Sequence, residues 1–316
     1  MRLSQYKVFC LLIAMACLMA TSAAATEIAF YRQGGVNLNG PSYGWWYGCS
    51  PTSAGMMVGY YDRNGYGGKS YANLVPGGVA EASTAYGDEA RNALVKDVIA
   101  SQGHVDDFYG GDSNSGFDNY MKSGDDVVGP HHAFNSLADF MGTSQDSAGN
   151  SNGSTTLYYY TDGSKFYAKD AVTYSVQDFD GMYGIAEYLQ YAGYGDDPTT
   201  SLNYFTAHIF DEGSPLGFTF TEYKAEIDAG RVVMIHVKGH SMFGYGYTDA
   251  GEIIFDDTWG GHDKLMAWGG SYADMDQWGV TCFIPTGGSV VVPLPATIYF
   301  LGTGLVGLLV WRRRCS

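Results

Sequence analysis

An α+β fold is what this sequence predicts, and two observations predict it. Up to residue 191 the apolar residues recur mostly at helical spacing. After residue 219 a single helical stretch is followed by five short runs rich in β-branched and aromatic residues. A mainly helical first part and a mainly strand-built second part imply a helical lobe joined to an antiparallel sheet or half-barrel.

The elements follow in order. Residues 26–47 read as extended loop. Ser50-Pro51 starts a helix, because proline has the φ of a first helical turn and lacks an N–H that would go unpaired there. That helix runs to about residue 61 and buries Met56, Met57 and Tyr60. Residues 64–78 are glycine-rich loop, 88–102 an amphipathic helix, 106–126 an acidic loop and 131–141 a short helix. The polar stretch 144–156 reads as a mobile surface loop. Runs at 157–161 and 165–168 flank Asp162-Gly163, a hairpin signal. Residues 178–191 and 221–229 are helices, the second ended by Gly230. The strands are expected at 232–237, 241–247, 252–255, 264–268 and 280–285.

The two ends differ from the rest. Residues 1–25 carry Arg2 and Lys7, a short apolar run and Ala23-Ala24-Ala25, the three parts of a secretory signal. Residues 290–311 form an apolar run long enough to cross a membrane, followed at once by Arg312, Arg313 and Arg314, which would hold the tail in the cytoplasm. Between them 26–286 reads as one domain, with 287–316 as linker and tail. The five cations of the end segments leave 12 of the 17 Lys and Arg in the domain against 33 acids, a net charge of −21. Nucleic acid is excluded as a partner on that balance, since phosphates need a basic surface.

Cys10 and Cys17 leave with the signal and Cys315 lies beyond the apolar run, so the domain keeps only Cys49 and Cys282. Either the two pair, as an oxidising compartment would favour, or one is a free thiol with a chemical role. Cys49 stands at a helix entrance, where the dipole lowers a thiol pKa. His240 opens a strand candidate and Asp257 lies just after the next one, so adjacent antiparallel strands would bring His240 near Asp256 or Asp257. A Cys-His-Asp triad is therefore possible, the histidine as base and the acid as its orienter. His236, His240 and His262 lack the pattern of a zinc site, and His104 reads as a surface or capping residue.

Three segments, GCSPTSAGMM, GRVVMIHVKGHSMFGYGY and IIFDDTWGGHDKLMAWGGSY, resemble the papain-fold peptidases of the bacteriocin-leader-peptidase (peptidase C-39-like) group. The resemblance implies that Cys49 is the nucleophile, His240 the base and Asp257 the ring orienter. It departs from the family at Tyr43, where papain-like enzymes carry an oxyanion-donating Gln. Asn37, Asn39 and Tyr43 are the candidates to replace it. The tail, with Val292-Pro293-Leu294-Pro295-Ala296 before the apolar run and its arginines, resembles the PEP-CTERM sorting signals of Gram-negative bacteria. That implies signal peptidase and an exosortase as processing partners, transient anchoring in the membrane by the C-terminal helix, and delivery to the cell surface or matrix. The expected function is an exported cysteine peptidase that hydrolyses peptide or amide bonds of a protein substrate and uses no cofactor. A catalytically silent papain-fold module that binds a matrix component or peptide, and a transpeptidase or amidase on the same triad, are the alternatives.

Overall fold

The computed structural model describes residues 35–76, 93–109, 135–145 and 148–290. The expected signal segment and nearly all of the apolar tail lie outside them. Among the described residues no helix is long and apolar enough to cross a membrane.

The chain enters through β1 (Gly35–Asn37) and reaches α1 (Cys49–Asn64). This helix is buried along nearly its whole length, from Ser50 to Asp62, because it lies between the sheet and the other helices. Met56, Met57 and Val58 are fully buried, and each contributes roughly 1.5–3 kcal/mol of apolar burial. Then come β2 (Lys69–Ser70), α2 (Ala93–Ile99), α3 (Gln102–Tyr109), α4 (Leu137–Phe140), β3 (Phe166–Tyr167), α5 (Ala168–Thr173) and α6 (Gly181–Tyr191). The second part holds β4 (Tyr204–His208), α7 (Phe220–Asp228), β5 (Val233–Val237), β6 (His240–Thr248), β7 (Glu252–Asp256), β8 (Lys264–Ala267), β9 (Ser271–Tyr272), β10 (Met275–Phe283) and β11 (Ser289–Val290).

The main sheet is antiparallel in the order β3-β4-β10-β5-β6-β7-β8, with β1 added on β6 and β9 on β10. Strand residues alternate between its faces. Met234, Phe243 and Tyr245 join a core with α1, α2, α4 and α6. Val233, Ile235, Val237, Met242 and Phe255 face the opposite way, where Tyr223 and Ile227 of α7 cover them. The α+β class with an antiparallel sheet is thus as expected.

Several elements differ from expectation. The helix expected over 88–102 breaks after Ile99. Ser101 Oγ accepts from the His104 amide at 3.3 Å, and α3 begins at Gln102, the last residue of the expected helix, and runs on into what the sequence suggests is acidic loop. His104 is no surface residue: it is fully buried and its Nδ1 meets Asp139 Oδ1 at 2.8 Å. Within 131–141 the described helix is one turn, started by the Ser136–Asp139 capping box. Asp162 does make a turn, accepting from the Ser164 amide and hydroxyl. No hairpin follows, because Phe166 and Tyr167 pair with β4 and the chain then enters α5. The 144–156 loop is strapped down: Thr143 meets Thr155 through their hydroxyls at 2.8 Å, and the buried Asn150 side chain donates to Gly142 O and accepts from Thr156. β10 begins five residues earlier than the expected strand, with a bulge at Gln277–Gly279. The polar residues Asp276 and Gln277 mask it in the sequence. The body also continues past residue 286, since Ser289 and Val290 pair with Ser70 and Lys69.

Candidate active site

Cys49 is the first residue of α1. Thr52 donates its amide to Gly48 O at 3.1 Å, the first bond of the helix, so the amides of Cys49 and Ser50 have no intrahelical acceptor and Pro51 has none to offer. Both amides aim at the Cys49 sulfur, together with the Ser50 hydroxyl and the Ser241 amide of β6. The loop before the helix is tightly held. A Cβ on Gly48 would come within 2.9 Å of both Pro51 Cδ and Thr143 Cγ2, and one on Gly153 within 3.1 Å of Gly48 Cα. The 144–156 loop therefore buttresses the cysteine turn. Cys49 is half-buried and free, and Cys282 is free and buried on the far face of the sheet. The disulfide alternative is not what the structure holds.

His240 opens β6, directly before the residue whose amide reaches the sulfur. Its Nε2 lies 2.7 Å from the main-chain carbonyl oxygen of Asp257. A carbonyl only accepts, so Nε2 carries the proton and Nδ1 keeps its lone pair. Among the described residues no hydrogen bond to Nδ1 is made, so its lone pair has no donor. The Trp259 indole, itself exposed, stacks on the buried ring at 3.9 Å between centroids, 21° from parallel.

The expected acid contact differs in kind. Asp257 does orient His240, but through its main chain. Its carboxylate is taken up within its own loop: Oδ1 accepts from the amides of Trp259 and Gly261 at 2.8 and 2.7 Å, and Oδ2 from the Tyr272 hydroxyl at 2.6 Å. The reason is the tight turn after β7, where Thr258 takes a left-handed φ of 60° and the carboxylate folds back on the next amides. Asp256 does not face His240 or solvent either. It is fully buried, accepts from the Ser42 hydroxyl at 2.5 Å and the Thr258 amide at 2.8 Å, and lies 3.8 Å from His262 Nδ1. Burial raises its pKa, and its contact raises that of His262.

Electrostatics favour neutral partners. Burial pushes the Cys49 thiol up, against the four hydrogen bonds aimed at it. Burial pushes His240 down, against its bond to Asp257. At rest Cys49 is a thiol and His240 a neutral imidazole; among the described contacts none joins the His240 ring to the Cys49 sulfur, which meets the neighbouring Ser241 amide.

The three candidates for an oxyanion donor lie elsewhere. Asn37 pairs with Gly246, six residues along β6 from His240, about 20 Å at the strand rise. Asn39 is tied by its carbonyl to Arg63 near the other end of α1, and the Tyr43 amide meets the Met56 thioether in its middle. Ser50, Ser241 and His236 carry no motif that marks them as partners of the thiol, yet a hydrogen-bonded row joins them. The Gly-His-Ser order was the available signal, since a strand begun at His240 sets Ser241 opposite His236 on the neighbouring strand. Among the described residues no group of three His, Cys, Asp or Glu side chains is placed to hold a metal ion.

No family model, no curated protein and no solved structure matches this chain.

Proposed function

We propose that this protein is a cysteine hydrolase of papain-like architecture, acting on peptide or amide bonds with Cys49 and His240 as a dyad. The observation that carries the reading is the His240 ring: its Nε2–H is fixed on the Asp257 carbonyl, and its basic Nδ1 is left on a residue whose neighbour reaches the Cys49 sulfur. As the sulfur attacks a carbonyl carbon, Nδ1 takes the thiol proton. The Cys49 amide, which has no intrahelical acceptor, turns from the sulfur to the developing oxyanion as the bond forms. Nδ1–H then protonates the leaving amine, and a thioester remains. Water attacks it, giving its proton to Nδ1, and the acid leaves as the thiol is restored. The secretion signal and the PEP-CTERM-like tail support an exported protein processed by signal peptidase and an exosortase and sorted to the cell surface.

A second reading, a silent binding module, is favoured by the neutral resting pair and by the displacement of all three expected oxyanion donors from Cys49. One experiment separates them. Incubation of the exported protein with a proteome-derived peptide mixture, read by mass spectrometry, should give cleavages that vanish in both Cys49→Ala and His240→Ala. Cleavage by neither wild type nor variants, with peptide binding retained, would establish the module instead.

A further inference from the structure

Behind the candidate dyad runs a buried row of polar groups that the hydrolysis scheme does not use. Ser50 Oγ lies 2.8 Å from Ser241 Oγ, Ser241 Oγ 3.0 Å from His236 Nδ1, and His236 Nε2 2.8 Å from Thr281 Oγ1. All four residues are buried, His236 to 1% exposure. They come from α1, β6, β5 and β10, so the row ties four elements together at the sulfur. The sheet register makes it: His236 stands opposite Ser241 on β6, and Thr281 on β10 stands opposite Met234, two residues from His236 on the same face of β5. Ser241 and His236 share the face that carries α1, whereas Met242 and Ile235 point to the other core.

The order of donors follows from what each group can do. When Cys49 is a thiolate, the Ser50 hydroxyl donates to it. Ser50 Oγ must then accept from Ser241, and Ser241 Oγ from His236 Nδ1–H. His236 Nε2 is left to accept from Thr281. Every donor in the row then points toward sulfur, and such rows reinforce one another. We propose that His236, acting through Ser241 and Ser50, is a positioning residue that stabilises the Cys49 thiolate during attack. The proposal rests on Cys49 being the nucleophile. Burial keeps His236 neutral, its pKa pushed down to about 3, so it keeps a single ring proton and must choose one tautomer. The titratable groups that face the row are Cys49 on α1, His240 on β6, His208 on β4, and Tyr159 ahead of β3, which has Asp180 and Cys282 near it. The Tyr159 hydroxyl faces Thr281 without closing a hydrogen bond of normal geometry.

The test reads thiol ionisation rather than peptide cleavage. Rates of Cys49 alkylation by iodoacetamide are followed by mass spectrometry from neutral pH up through the alkaline range, past the thiol midpoint, in the full chain. Ser241→Ala should move the midpoint up by about one unit, a roughly tenfold slower reaction near neutrality, and Ser241→Thr should restore it. His236→Asn, which can place a donor where Nδ1 lies, should keep the wild-type midpoint, and His236→Gln should not. A folded Ser241→Ala protein with an unchanged midpoint would overturn the proposal. So that it stays testable if the variants do not fold, the wild-type His236 ring is read by nitrogen NMR above the thiol midpoint. The Nδ1–H tautomer is expected, and an Nε2–H tautomer would overturn the proposal. Failure of the hydrolase reading looks different: wild-type protein would cleave nothing, while the midpoint still shifted in Ser241→Ala.

Discussion

At the scale of single residues, the orienting of His240 by a main-chain carbonyl changes what substitution of Asp257 should do. Asp257→Asn keeps an acceptor for the Trp259 and Gly261 amides, and its amide can meet the Tyr272 oxygen. Peptide cleavage should therefore fall less than tenfold. Asp257→Ala strips three hydrogen bonds from the loop, a cost of about 2–4 kcal/mol, and lets the carbonyl drift from Nε2. Urea denaturation and cleavage rates on both variants check this; equal and near-total loss of cleavage in both would show that the carboxylate itself is needed. Cys49 and His240 were legible in the sequence because a helix entrance and a strand start have local signatures. Which atom of Asp257 meets the ring was not legible, since it depends on a left-handed Thr258 that no pattern marks. The neutral resting pair also reverses a sequence expectation. A thiol pushed up by burial ionises only as pH rises above its ordinary value, so alkylation of Cys49 should climb steadily through the alkaline range, with no plateau below neutrality.

At the scale of elements, close approach and capping carry the helical lobe. A Cβ on Gly184 of α6 would lie 2.0 Å from the Phe140 carbonyl oxygen of α4. Gly184→Ala must therefore drive the two helices apart, and a loss of about 1–3 kcal/mol is expected by denaturant titration. Asp180 caps α6, accepting from the Met182 and Tyr183 amides, and takes the Tyr158 amide as well. Burial pushes its carboxyl up to about 7 from 3.8, against these three donors. A carboxyl that holds its proton more tightly when folded stabilises the folded state below its unfolded value, and that contribution is lost as pH rises through about 7. Asp180→Asn, which can cap without titrating, should be freed of that decline. Denaturation at pH 5 and pH 8 tests it, and equal pH dependence in the two proteins would contradict it. The period of apolar residues made α1, α6, α7 and the strands from β5 to β8 readable. It failed at 144–156, whose polar side chains are satisfied by one another and by main chain, so that a loop polar in composition packs against the Cys49 turn.

At the scale of the whole molecule, the sheet separates two cores and sets α1 across one face with its N-terminus at β6. Nothing in the local sequence states that Ser50 and Ser241, 191 residues apart, will touch. That contact comes from the order in which the strands pair. The pairing of β11 with β2 places the end of the folded body at Val290 rather than 286. A chain that ends at Val290 should therefore fold and resist protease, while one that ends at Pro285 loses β11 and the Thr286 bonds to Tyr194 and Asp196 and should be cut faster in limited proteolysis. Equal resistance would show that β11 adds nothing. Hydrolysis at this site requires that Cys49 carry the acyl group during turnover. It is tested most directly by acid-quenching the wild-type protein with an activated peptide ester and mapping the adduct by mass spectrometry. A thioester is expected on Cys49, absent from Cys282 and lost in Cys49→Ser. Turnover of the ester with no adduct on Cys49, or undiminished in Cys49→Ser, would contradict it.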